Sequence, residues 1–310
     1  MTAATVCWVW NLRRRKTAPA REPISDLELV TRIVHEHLEP DVAERWLTLL
    51  RPALHLVPLR AEAAPVARLG GTPNLPLGQP WPTWEGAGPL MFVGELDLAE
   101  VAKFQLDITV PTTGRLLFFF YDGSYDNFAS LVGYWEPGSL AGARMLYVPD
   151  DVPSAHRPAP ERVVTMTEVA YGGKQIVTAP DFVHPGLQAA FAPGLDYGEW
   201  IKHPVCADAF VEALFERNPL PRHQVGGYAM NLQQPVESEV AWGVLGGDSQ
   251  AIDMDAAARE ASRWRLLFQV DSDDNLNMMW GDAGALYWLA RTEDLDAGDI
   301  SHYSFTWQCL

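Results

Sequence analysis

The chain predicts an α+β fold: a mostly antiparallel, β-rich body with a divergent internal duplication, preceded by an N-terminal helical hairpin. Three observations carry this expectation. Strong helix-capping signals crowd the region before residue 51, whereas the rest is dominated by short apolar runs broken by Gly and Pro. A set of motifs is met twice in the same order. At 310 residues and 48% apolar composition, the chain is long enough for a sizeable core, as one large domain or two fused halves.

Residues 1–23 read as a disordered basic, Ala- and Pro-rich lead-in. The apolar run before RRRK at 13–16 is too short to span a bilayer, and its order is the reverse of a secretory signal. Order is expected from Ile24. Ser25 and Glu28 have the spacing of a capping box, and Ile24 with Leu29 fits a hydrophobic staple. A helix is therefore predicted from Asp26 to about Leu38, with Leu27, Val30, Ile33, Val34 and Leu38 as its buried stripe. Asp41 and Glu44 repeat the cap logic for a second helix that stops before Pro52, which completes a hairpin over 24–51. His35 and His37 lie two apart, pointing about 200° from each other on a helix, and read as surface histidines.

ALHLVPLR reads as a strand. Pro73, Pro76, Pro80 and Pro82 then fix φ and remove backbone donors, so this stretch is expected as an extended cover carrying Trp81 and Trp84. PLMFVGELDL is the next strand, DLAEVAKF a short helix capped by Asp97, and GRLLFFFYD a fully buried strand. Residues 121–200 are expected as strands and loops. Pro204 introduces a helix through HPVCADAFVEALFER, with Phe210, Leu214, Val211 and Phe215 on its buried face.

GGTPNLP, PLMFVGELDL and GRLLFFF are echoed by GGYAMNLQQP, RLLFQVDSDD and GALYWLA. The order is kept and the spacing is not, with Phe92 matched to Phe268 and Gly114 to Gly284. A single domain over 24–310 is expected, built of two related halves at about 55–200 and 201–310.

These blocks, with RLLFQVDSDDNLNMMWGDAGALYWL and SFTWQCL at the C-terminal end, resemble the YwqG-like bacterial family, a domain of unknown function, over about residues 55–310. The resemblance implies a cytoplasmic α+β protein with a duplicated core and brings no activity, cofactor or catalytic residue. The chain departs from that pattern in its segment before Ile24, and in GGYAMNL where a more proline-rich second glycine motif is usual.

The formal charge of −17, from 23 basic and 40 acidic residues, opposes a nucleic-acid or anionic-membrane partner. The excess is C-terminal: residues 237–300 hold 14 Asp/Glu against 4 Lys/Arg. Cys7, Cys206 and Cys309 are far apart and form no C-x-x-C, which fits a reducing cytoplasm.

Two sets of residues are candidates for a site. VDSDDNLNMMWGD, residues 270–282, places Asp271, Asp273, Asn275, Asn277 and Asp282 at the oxygen-donor offsets of a calcium loop. Leu276 stands where that loop needs glycine and the flanks are strand-like, so an EF-hand is rejected. Two readings stay open: a non-EF site for Ca²⁺ or Mg²⁺ on Asp271, Asp273, Asn275 and Asp282, or a polar turn whose side chains bond nearby amides. Glu95, Asp97 and Asp122 occupy comparable strand ends in the first half, from where a pseudo-twofold can bring acids together across a cleft. The second set is aromatic: Trp81, Trp84, Tyr121 and Trp280 either line a partner groove or pin loops to the core. Neither G-x-S-x-G, a P-loop, H-E-x-x-H nor a Rossmann fingerprint occurs, and His203 with Cys206 reads as packing.

The expectation is an acidic cytoplasmic binding protein that recognises a protein partner, an immunity protein against a basic toxin being one version. The alternative is a metal-dependent enzyme or a cation-stabilised small-ligand binder using the Asp-rich loop.

Overall fold

In a computed structural model, which describes residues 25–60, 63–218, 220–246 and 253–310, the helical hairpin opens the fold. Helix α1 (Asp26–His37) carries the predicted capping box, Ser25 and Glu28 each accepting the other's backbone N–H. Val30, Ile33, Val34 and Leu38 are buried, but Leu27 is half exposed, so the stripe is one residue narrower than its periodicity suggested. Helix α2 (Pro40–Leu47) starts earlier than expected: Pro40 takes the first helical position and Glu39 the cap without a side-chain bond. Ile24 lies outside the described residues.

The strands follow as β1 (Arg51–Pro58), β2 (Ala67–Leu69), β3 (Asn74–Pro76), β4 (Thr83–Trp84), β5 (Gly88–Pro89) and β6 (Met91–Asp97). Asp97 caps α3 (Leu98–Val101) through the N–H groups of Ala99 and Glu100, as its spacing predicted. Then come β7 (Arg115–Phe120), β8 (Ala143–Val148), β9 (Ser154–His156) and β10 (Val169–Thr178). Helices α4 (Pro185–Phe191), α5 (Tyr197–Trp200) and α6 (Asp208–Glu216) lead to β11 (Gln224–Val225), α7 (Val236–Val244) and α8 (Met254–Ala261). The chain closes with β12 (Trp264–Asp271), β13 (Ala285–Arg291), α9 (Thr292–Asp296) and β14 (Tyr303–Gln308). Pro204 opens a 3₁₀ turn rather than α6 itself, and Phe215 is half exposed, so Phe210 is the buried anchor of that helix.

Ten strands form one sheet, paired antiparallel throughout, in the order β14-β13-β12-β11-β1-β10-β2-β6-β7-β8. The order is a palindrome about the β1–β10 pair. Leu69 pairs with Gly94 as Val225 pairs with Phe268, and Arg115 pairs with Val148 as Ala285 pairs with Gln308. The register shift between Phe92 and Gly94 has its counterpart between Leu266 and Phe268. Phe268 therefore corresponds to Gly94, two residues beyond the Phe92 that motif matching chose. Gly70 and Gly71, with φ of 73° and 70°, match Gly226 and Gly227 at 69° and 71°, so the second glycine motif makes the same left-handed turn without its prolines.

By this register the second repeat opens with β10, which carries no echoed motif. The two first strands are exchanged: β1 lies between β11 and β10, both of the second repeat, and β10 lies between β1 and β2, both of the first.

The sheet curls until its ends nearly meet. Phe118 on β7 packs 4.6 Å from Phe268 and 5.0 Å from Trp288, and Phe120 packs 5.3 Å from Phe305. These rings fill the interior, where each fully buried aromatic removes 150–250 Å² from water. The outer face is covered by the Trp81 loop on the first repeat and by α7 on the second. Helices α1, α2, α4, α5 and α6 form a separate apolar cluster around Trp46, Trp200 and Phe210.

Candidate functional site: the seam between the outer strands

The aromatic candidates all pack against the sheet core. Tyr121 and Trp280 are buried, Trp280 standing 5.8 Å edge-on to Phe120. Trp81 donates its indole N–H to the Leu90 carbonyl at 2.8 Å and packs edge-on against Phe119, while Trp84 packs edge-on against Tyr121. Trp81 and Trp84 are partly buried against the same core that buries Tyr121 and Trp280.

The Asp-rich loop is a hydrogen-bonded turn between β12 and β13. Asp273 Oδ1 accepts from the backbone and side-chain nitrogens of Asn275, at 2.8 and 3.0 Å. Its Oδ2 accepts from Tyr171 at 2.9 Å and from His223 Nε2 at 3.2 Å. The Asp271 N–H donates to His223 Nδ1, which leaves the imidazole proton on Nε2, facing the carboxylate. These bonds hold the Asp273 carboxyl far below the usual range, the His223 bond contributing most. Asp271 is itself buried, accepting from the Arg222 N–H and the Gln269 amide, whereas the Asp282 residue is exposed. Among the described residues no three His, Cys, Asp or Glu side chains are placed to share an ion. In the first repeat Glu95 pairs with Arg115 at 2.8 Å, Asp97 caps α3 and Asp122 accepts from Ser124, so each acid is engaged locally.

A second buried polar group surrounds Tyr228, beside the second glycine pair. Arg51 lies 3.8 Å over the Tyr228 ring, Asp107 accepts from the Gly227 N–H, and His184 Nε2 stands 4.0 Å from Glu237. Neither Glu237 oxygen has a hydrogen-bond partner among the described residues, and burial pushes its pKa up. Sequence spacing pointed to none of this group, which assembles from residues far apart in the chain. Cys206 is buried, and its thiol is pushed up to about 11, which fits packing rather than nucleophilic chemistry.

The open surface lies at the seam. Strands β8 and β14 end the sheet, so each has an outer edge without a strand neighbour among the described residues. One side chain crosses between them: Tyr303 Oη accepts from the Met145 N–H at 3.0 Å and lies 3.5 Å from the Ala143 carbonyl. Burial raises the phenol pKa, so it keeps the proton that it turns toward Ala143. Along this gap opens a cavity of about 730 Å³, bounded by Arg144 on β8, residues 301–305, Val240 and Val244 on α7, and the turn around 132–141. That turn is fixed by Ser139, bonded to both N–H and carbonyl of Gly133, and by the Trp307 indole, which donates to the Val132 carbonyl at 2.8 Å.

The β7–β8 connection bears large apolar side chains in water. Phe128 is 63% exposed, Leu131 48% and Trp135 52%, and Val244 with Leu245 at the end of α7 are similarly uncovered. Grouped exposure of this kind marks contact surfaces on soluble proteins. The stretch NFASLVGYW, residues 127–135, was the available sequence signal, since its apolar residues follow no strand period.

Residues 67–309 match the model of a protein family described as a domain of unknown function, DUF1963. The chain belongs to that family. The match spans both repeats apart from β1, and the YwqG-like resemblance of the motifs agrees with it. No curated protein matches the chain. Among the described residues no helix is long and apolar enough to cross a membrane.

Proposed function

We propose that this DUF1963 member is a cytoplasmic protein-binding module that seats part of a partner protein in the seam groove. The observation that carries the reading is an open cavity of about 730 Å³ lined by Val240 and Val244, with exposed Leu131, Trp135 and Leu245 next in the chain to residues that line it. That volume lies within the range of ligand sites. The net charge of −17 favours a basic partner, and an immunity protein that neutralises a basic toxin is the version this charge suits.

The test is affinity capture from the native host at low and high salt, with Trp135→Ser beside the unaltered protein. A co-purifying basic protein should be lost at roughly 0.5 M salt, where charges are screened beyond about 4 Å. Loss of the anchor should weaken its binding at least about tenfold, as for buried aromatic hot spots. A complex indifferent to Trp135→Ser, in protein that melts normally, would remove the groove from the interface.

A further inference from the structure

Resting on that reading, we infer that the seam receives an extended, basic peptide segment of the partner as an additional β-strand between β8 and β14. The sheet stops short of closure, and among the described residues no strand is paired to the outer edge of either flanking strand. A backbone inserted between two strands needs them roughly 10 Å apart, twice the spacing of paired strands. Here the gap is bridged by a tyrosine side chain and one hydrogen bond. Tyr303 Oη satisfies the Met145 N–H and reaches toward the Ala143 carbonyl, the donor and acceptor that an added strand would engage. Tyr303 is thus a stand-in for a missing strand, and its release is part of binding.

The lining states the chemistry of the occupant. Glu136 and Asp294 flank the cavity, and among the described residues neither carboxylate has an ion pair or a hydrogen bond. Of the other basic side chains in the lining, Arg291 is matched to Glu260 at 2.7 Å, and His302 lies 3.2 Å from Asp299. Arg144 donates to the Ala141 carbonyl at the edge of the groove. Cationic side chains on the outer face of the entering strand meet the two unmatched acids beside Val240 and Val244, while the inner face meets Phe305 and the interior rings packed on it. The protein's charge of −17 draws the same kind of segment from a distance.

The probe is a fluorescein-labelled peptide of alternating Lys and Val, read by anisotropy on the full chain against two controls: the same peptide N-methylated at alternate residues, and an alternating Glu and Val peptide. The basic peptide should bind, and both controls should bind at least about tenfold more weakly. Tyr303→Phe keeps the ring and frees the edge, so it should bind about threefold to tenfold tighter, the worth of one net hydrogen bond. Glu136→Lys with Asp294→Lys should reverse the preference toward the acidic peptide. Hydrogen exchange at the Met145 amide should slow in the bound state of Tyr303→Phe. Equal binding of the N-methylated peptide, or no binding of the basic one, overturns strand addition. A captured partner that still depends on Trp135 would then leave the groove reading standing, which separates the two failures.

Discussion

Two buried carboxylates show how opposite surroundings give opposite signatures. Asp273 accepts four hydrogen bonds, and its folded pKa is depressed. The stability it contributes is therefore fully present above the unfolded carboxylate value of about 3.9 and is lost as pH falls through its folded pKa. Asp273→Asn should cost about 2–4 kcal/mol at pH 7, since it ends a charged acceptor role and strands Tyr171 or His223, with the difference narrowing below about pH 4. Glu237 accepts no hydrogen bond among the described residues, and its folded pKa is raised by burial. Its ionisation penalises the fold as pH rises above the unfolded value of about 4.3 and through the folded pKa. Glu237→Gln should accordingly stabilise by roughly 1–2 kcal/mol at pH 7 and make no difference near pH 4. Urea melts of both variants at several pH values check the pair; a Glu237→Gln loss at neutral pH would mean that the carboxylate has a partner in solution. Asp273 was legible as a turn residue, because Asp and Asn bond nearby amides wherever the chain reverses. Glu237 was not, because a glutamate in a helix's first turn looks the same whether water or protein surrounds it.

At the scale of elements, local signals predicted local structure. The Ser25 capping box and the Asp97 cap needed only neighbours in the chain, and both formed. The earlier start of α2 follows from Pro40, whose fixed φ suits the first helical turn and prevailed over Asp41 as a cap. Phe215 and Leu27 fell on the exposed side because periodicity gives a face, not the width that a neighbour covers. The loop between β12 and β13 is the sharpest case. Its calcium-like offsets are real, yet Asp273 spends its lone pairs on Asn275, Tyr171 and His223, while Asp271 serves Arg222 and Gln269. Chelator-treated protein should melt at the same temperature with or without excess Ca²⁺ or Mg²⁺. A bound ion at a hundredfold excess over its dissociation constant would add about 2.7 kcal/mol, readily seen in differential scanning calorimetry. A rise that Asp273→Ala abolishes would restore the loop as a cation site.

For the whole molecule, the repeated motifs announced a duplication but not the way its parts interlock. The echoes sit on β6, β7, β12 and β13, which stay within their own repeats, so the motif order implied two halves lying side by side in one body. What binds the repeats is β1 and β10, two strands without an echoed motif, each seated wholly among strands of the other repeat. Tyr303, bonded to Met145, ties the repeats again at the seam. A chain cut between His156 and Val169 should therefore yield fragments that fail to fold alone. The first would have β1 with no neighbour from its own repeat, and the second would have β10 in the same position. Each would expose a row of unpaired backbone groups and part of the ring-lined interior. Mixed from denaturant, the two should regain the full sheet, because every missing neighbour is on the other fragment. Circular dichroism and calorimetry on each fragment and on the mixture decide it: independent cooperative melting of either fragment would show that the exchange of first strands is dispensable.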